Sequence, residues 1–217
     1  AIQGRIERAA ATVEEGVRLN PQSAPLFNLL VELDLKQNKP DKAIARCQGV
    51  LQANANDAFA HYQLGKIYFA GKQYARSEAE LETAIRIIPL WPEPSYLLSR
   101  LYLAQGRRDE AVRRFSAALK QNPRSPTPYL ILGQLHELSH DHAQARKIYE
   151  QALEAFPELW PALNNLAFLL AEHPAASADL DRALKLAAKV KNLRPEDPTI
   201  LDTHGWVHFK AGNLQQA

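Results

Sequence analysis

Two groups of histidines have the residue types and spacing on which chemistry could be built. His204 and His208 in "LDTHGWVHFKAG" stand four apart. On a helix that spacing puts both imidazoles on one face, as a zinc hydrolase requires. Such a helix also needs a glutamate directly after the first histidine as general base, and Gly205 stands there. The second group, "HELSHDH" at 136 to 142, offers His136, His140, Asp141 and His142, all metal-ligand types. The single Cys47 excludes an internal disulfide framework and a multi-cysteine metal site. No GxSxG, P-loop or GxGxxG is present. Whether the histidines are ligands or packing residues depends on the elements that hold them.

Those elements repeat. "LGKIYFAGKQYARSEAELETAIRIIP" at 64 to 89 is matched, thirty-four residues on, by "LSRLYLAQGRRDEAVRRFSAALKQNP" at 98 to 123. A further thirty-four brings "LGQLHELSHDHAQARKIYEQALEAFP" at 132 to 157. Pro89, Pro123 and Pro157 keep the interval, as do Ala84, Ala118 and Ala152, and Leu81, Phe115 and Tyr149. Extension in both directions predicts full units at 24–57, 58–91, 92–125 and 126–159. A unit at 160–197 carries a four-residue insertion within "AEHPAASADLDR". Residues 1–23 match only a second half and 198–217 only a first half. The expectation is therefore a piece of a longer chain with a unit cut at each end. Apolar stripes that include Ile2, Ile6 and Val13 should then be exposed and could support end-to-end self-association.

Each unit reads as two helices. Ala58, His61, Leu64, Gly65 and Tyr68 recur at helical spacing, Gly71 interrupts, and Ala75 to Ile88 resumes with an apolar face. Of the fourteen prolines, Pro40 and Pro174 fall in turns within units and the others between units. None lies in a helix interior, where proline would remove a hydrogen bond. A lone hairpin cannot bury its apolar face, so successive units must stack. The predicted fold class is all-α, a right-handed α-solenoid of antiparallel helix pairs.

This pattern resembles the tetratricopeptide repeat family. It is carried by Leu64, Gly65, Tyr68, Ala84 and Pro89, by Leu98, Tyr102, Ala111, Phe115, Ala118 and Pro123, and by Tyr129, Leu132, Gly133, Ala145, Tyr149, Ala152 and Pro157. It departs at Asp34, where the family prefers tyrosine, and at the insertion near 172 to 182. "ALNNLAFLLAE" with "LDTHGWVHFKAG" looks like the late repeats of large bacterial members linked to envelope polysaccharide export and protein sorting. In this register His204 and His208 fall on the packing face, His136 takes the tyrosine slot, and His140 to His142 occupy a turn. The expectation is no catalysis, no metal and no cofactor, with Cys47 an inert buried thiol.

Function would then reside on the surface. A second stripe on the first helix of one unit, Phe59, Tyr62, Lys66 and Phe69, is largely aromatic where an ordinary surface helix is polar. One unit on come Glu93, Tyr96, Arg100 and Leu103, then Thr127, Leu130, Gln134 and Glu137, then Asn164 and Phe168, then Asp202, Trp206 and Phe209. The resemblance implies that first helices line a concave groove. The expected partner-binding residues are Phe59, Tyr62, Lys66, Phe69, Tyr96, Arg100, Leu130, Gln134, Asn164 and Phe168. Arginine and aromatic residues dominate binding hot spots, and Lys66 with Arg100 beside apolar walls suits a peptide carrying a carboxylate among apolar residues. Asn28 and Glu32 stand where chaperone-binding members carry a carboxylate clamp, which makes a chaperone-tail receptor an unfavoured reading.

A net charge of +2 gives no strong field toward nucleic acid or a membrane surface. The basic run "GRRDEAVRRF" lacks interleaved aromatics, so no nucleic-acid partner is expected. No apolar run reaches the roughly eighteen residues of a membrane helix. The sequence thus predicts a non-catalytic module binding a protein or peptide in its groove. The alternative is a rigid spacer or assembly scaffold of a bacterial envelope system.

Overall fold

The computed structural model describes residues 2–20 and 23–215. Pro21, Ala217 and the side chain of Ile2 lie outside the described residues. The fold is all-α, with twelve helices among the described residues: α1 (Ile2–Leu19), α2 (Ala24–Lys36), α3 (Pro40–Ala53), α4 (Ala58–Ala70), α5 (Tyr74–Ile87), α6 (Pro92–Ala104), α7 (Arg108–Gln121), α8 (Pro126–Glu137), α9 (His142–Ala155), α10 (Trp160–Glu172), α11 (Asp179–Leu193) and α12 (Pro198–Lys210). They form two compact units, residues 1–105 and 106–217. Within each unit every helix packs on the next in the chain, and alternate helices also meet, α2 with α4, α4 with α6, and α10 with α12. Each unit is a stack of antiparallel helix pairs.

The starts of α2, α4, α6, α8 and α10 step by thirty-four residues, as do those of α3, α5, α7 and α9. Proline sits in the first turn of α2, α3, α6, α8, α10 and α12, where its missing N–H has no intrahelical partner to lose. The turn inside each pair also recurs. Asn38, Lys72, Gly106, His140 and Gly212 all have positive φ, between 55° and 79°. The next residue's N–H then reaches five residues back: Lys39 to Asp34, Gln73 to Tyr68, Asp141 to His136, Asn213 to His208. This closes the first helix by satisfying carbonyls at its end. Three of these five left-handed residues carry a side chain, and each bears a conformational cost of about 1–2 kcal/mol.

The two helices of a pair approach closely at small residues. A Cβ on Gly65 would lie 2.7 Å from Leu81, and one on Gly133 would lie 2.2 Å from the Tyr149 ring. Leu81 and Tyr149 are completely buried, each stabilising the fold by about 1.5–3 kcal/mol as large side chains removed from water. Val31, Ala43, Cys47, Leu64, Ile67 and Tyr68 make one core of the first unit. Leu163, Val190 and Ile200 make one of the second. Ile6 and Val13 on α1 are half-buried.

Asp34, in the slot that holds Tyr68 and Tyr102 in the following pairs, is completely buried. Its charge is met by Arg46, whose Nε lies 2.6 Å from Asp34 Oδ2 and whose Nη2 also reaches Glu14 on α1. The insertion falls at 173–178, and the backbone turns back on Asp179. Its Oδ2 accepts hydrogen bonds from the N–H groups of Ala175 and Ala176 and from Arg146 at 2.9 Å. Burial alone would raise this carboxyl, but the Arg146 guanidinium and the two amides outweigh it and hold the group below its usual range.

Two measurements check this account. In urea denaturation Gly133→Ala should lose about 1–3 kcal/mol through overpacking against Tyr149, whereas Lys72→Gly should gain up to about 1 kcal/mol by relieving its positive φ. Asp179 is depressed in the folded state, so its stabilisation is present above the unfolded carboxyl pKa of about 4 and is lost as pH falls through the lower folded value. The stability gap between the native chain and Asp179→Asn should therefore be widest near neutral pH and close in acid.

Candidate functional site

The second stripe of α4 faces α6 within the first unit. Tyr62, Lys66, Phe69, Glu93, Tyr96, Leu97 and Arg100 line a cavity of about 320 Å³. The Arg100 guanidinium lies 5.6 Å from the Phe69 ring centroid, and Lys66 Nζ 5.7 Å from that of Tyr62. Such cations are attracted to the ring face by its quadrupole. Lys66 also stands 3.9 Å from Glu32 of α2, which offsets much of its charge. Phe59 is 39% exposed and tilts against Trp91, centroids 4.6 Å apart, while Tyr62 meets the same indole at 4.8 Å. Burial, and then the Glu93 carboxylate, push the Tyr62 and Tyr96 phenols above their usual range, with Arg100 partly countering this at Tyr62. Both remain protonated and can donate a hydrogen bond. Six of the expected groove residues thus gather around one face of the first unit. Trp91 and Glu93 complete it.

In the second unit the expected residues divide. Leu130 and Asn164, one and two periods beyond Tyr96, are buried at 5% and 6% exposure and present no binding surface. Gln134 and Phe168 are exposed and line a different cavity, of about 570 Å³, with Glu137, Leu138, His140, His142, Leu169 and His173. Farther along, Trp206 donates from Nε1 to Glu172 at 3.0 Å, and Lys210 lies 5.5 Å over its ring.

The histidines that opened the sequence reading are placed as follows. His204 and His208 rest ring to ring, centroids 4.4 Å apart. Burial, then Lys191 and His208, depress His204 below the usual imidazole range. His136 Nδ1 is 3.6 Å from Asp141. His142 does not converge with His136; it stacks on His173 of the insertion at 3.7 Å with a 20° interplanar angle. Among the described residues no group of three or more His, Cys, Asp or Glu side chains converges as a metal site would require. Two face-to-face imidazoles direct their lone pairs outward in the ring planes, not toward a shared ion.

Two models of the same family match the chain, both described as tetratricopeptide repeat, one over residues 96–159 and the other over 1–59 and 34–101. The chain belongs to the tetratricopeptide repeat family. Tetratricopeptide repeats are protein-interaction and scaffolding modules. Among curated proteins the chain is similar to Anaphase-promoting complex subunit 3 of Schizosaccharomyces pombe, 24% identical over 92% of this chain and 28% of that protein. It is also similar to the TPR repeat-containing protein PA4667 of Pseudomonas aeruginosa, 29% identical over 58% of this chain and 22% of that protein. It therefore spans about a quarter of the length of these relatives. Among solved structures yeast Tom70 shares the fold, with a TM-score of 0.69 and 17% identity over 98% of this chain and 53% of that one. Among the described residues no helix is long and apolar enough to cross a membrane.

Cys47 occupies a repeat packing position and is completely buried. Burial, followed by the charges of Glu80 and Asp57, pushes its thiol up to about 12. A thiolate is the reactive form. Native protein should therefore react with a disulfide reagent at mildly alkaline pH only at the rate of global opening, and at once in denaturant.

Proposed function

We propose that this tetratricopeptide segment is a non-catalytic binding module that captures a peptide on the face shared by α4 and α6. The observation that carries the reading is the cavity of about 320 Å³ walled by Tyr62, Phe69, Tyr96, Leu97 and Arg100. Two half-buried phenols supply rigid apolar area together with a hydroxyl, and arginine supplies a planar fork of donors, the combination found at binding hot spots. Because Glu32 offsets Lys66, Arg100 is the cation that would receive a ligand carboxylate, with an apolar side chain seated between the tyrosines. Glu93 stands at the rim and disfavours a strongly acidic segment, so one carboxylate among apolar residues fits this face best.

A second reading has its own support. Phe59 and Tyr62 already pack on Trp91, and Lys66 already pairs with Glu32. A face this well partnered internally also suits a rigid spacer or assembly scaffold, of which a bacterial envelope system is one setting.

A paired pull-down from lysate of the source cell separates the two readings, with thermal melting confirming that both baits are folded. One bait is the native chain and the other carries Tyr96→Ala and Arg100→Glu. Peptide capture predicts a partner retained by the first bait and depleted at least tenfold from the second, the loss expected when two hot-spot side chains are removed. Identical retention by both baits would favour the spacer.

A further inference from the structure

The cavity of the second unit differs in charge from the α4–α6 face and does not depend on it. We infer that this cavity, between the α8–α9 turn and the α10–α11 insertion, binds a small aliphatic ammonium ion, a free primary amine with a short apolar chain. Its volume, about 570 Å³, lies in the range of small-molecule sites. The charge is set by Glu137, a half-buried carboxylate in the cavity wall. The Tyr149 hydroxyl donates to Glu137 Oε1 at 2.5 Å while accepting from Asn165 Nδ2 at 3.2 Å, which holds the carboxylate in place. Glu137 Oε2 has no hydrogen bond among the described residues. No cation pairs with Glu137 there either: Arg146 of α9 is held by Asp179 and Glu150, and Lys210 of α12 by Glu172. Burial raises the Glu137 carboxyl, partly countered by the Tyr149 hydroxyl and by His142. A carboxylate withdrawn from water without a counter-ion is costly, and a cation entering the cavity would offset that cost.

The remaining walls fit the same ligand. An ammonium group carries three donors and no acceptor. The cavity supplies acceptors in Glu137, in the side-chain amide oxygen of Gln134 and in Nδ1 of His142. That nitrogen is buried without a hydrogen-bond partner among the described residues, and it accepts when the ring proton sits on Nε2. The His142 ring is held by its stack on His173 at 3.7 Å. Phe168, 40% exposed, offers an aromatic face to which a cation is attracted. Leu138, 52% exposed, and Leu169 add apolar surface that the chain of the amine would cover. An anion of the same shape would meet the Glu137 charge, and an alcohol would leave that charge uncompensated.

The test follows the whole isotope-labelled chain by NMR at about pH 8, where alkylamines are protonated. The probes are hexylamine, hexanol, hexanoate and Nα-acetyl-lysine methylamide. Hexylamine should shift the signals of Gln134, Glu137, His142 and Phe168 and bind at least tenfold more tightly than hexanol, the size expected of a hydrogen bond to a charged group. Glu137→Gln, which keeps an acceptor for the Tyr149 hydroxyl, should abolish that preference. Phe168→Leu should weaken the amine severalfold and leave the alcohol unchanged. Arg100→Glu should change neither, which separates this site from the α4–α6 face. Absence of a saturable shift with hexylamine would overturn the assignment, as would equal binding of amine and alcohol or tighter binding of hexanoate. So would shifts confined to Tyr62, Tyr96 and Arg100. Tighter binding of the lysine derivative would give the cavity to a protein side chain and overturn the free amine. A preference that survives Glu137→Gln at unchanged melting temperature would also overturn it. Should that variant melt early, amine affinity unchanged in Phe168→Leu would do so instead.

Discussion

The close approach of α4 to α5 in the first unit, and of α8 to α9 in the second, is the constraint on which the remaining structure of each unit depends. A Cβ at Gly133 would stand 2.2 Å from the Tyr149 ring, and one at Gly65 would stand 2.7 Å from Leu81. Contact at this range exists because a large side chain of the second helix fills the notch left by a glycine of the first. It fixes which face of the first helix is consumed by packing. At Gly65 the seal is extended by a hydrogen bond from the Ser77 hydroxyl to the Gly65 carbonyl at 2.7 Å. Once that face is used, the stripe rotated away from it is the one left for other contacts.

What occupies the freed stripe varies from repeat to repeat, because the pair does not depend on it. The position held by Lys66 becomes Arg100, Gln134, Phe168 and then Trp206 along the chain, none of them fully buried. It passes from cationic to amide to aromatic while the fold stays the same. The position of Tyr62 changes in size instead. Tyr96 keeps a half-exposed ring, whereas Leu130 and Asn164 sink beneath the surface. Binding chemistry is therefore a local property of neighbouring repeats. The α4–α6 face and the histidine cavity of the second unit accordingly need not serve one ligand.

The period, the helix pairs and the packing positions were legible in the sequence because each rests on a local rule. Proline confines itself to first turns and to the segments between helices, small and large residues alternate across the pair, and apolar residues recur at helical spacing. The α4–α6 face was legible for the same reason: Tyr62, Lys66, Phe69, Tyr96 and Arg100 lie on one helical stripe one period apart. Trp91 was not, since it sits between helices where the period marks only a turn, yet its ring packs on Phe59 and Tyr62. Asp34 was legible as a departure, but its partners were not. Arg46 lies on the next helix and Glu14 on the preceding one, and no spacing rule connects them. His173 was hidden in the insertion, where the register that locates every other residue is broken.

That insertion shows how a repeat can gain residues without gaining slack. The usual turn is closed by a left-handed residue and an N–H that reaches back five positions. Helix α10 ends at Glu172, the N–H of His173 bonds the Leu169 carbonyl, and the left-handed residue is gone. The amides of Ala175 and Ala176 lie in an exposed turn and would otherwise bond only water. Asp179 supplies the acceptor from the first turn of α11, and Arg146 of the preceding pair neutralises it at 2.9 Å. At the other end of the loop His173 is held by its stack on His142. Both ends of the added segment are thereby pinned to α9. His173 of the added segment has become part of the cavity wall, and the only imidazole stack among the described residues joins the inserted loop to the repeat before it.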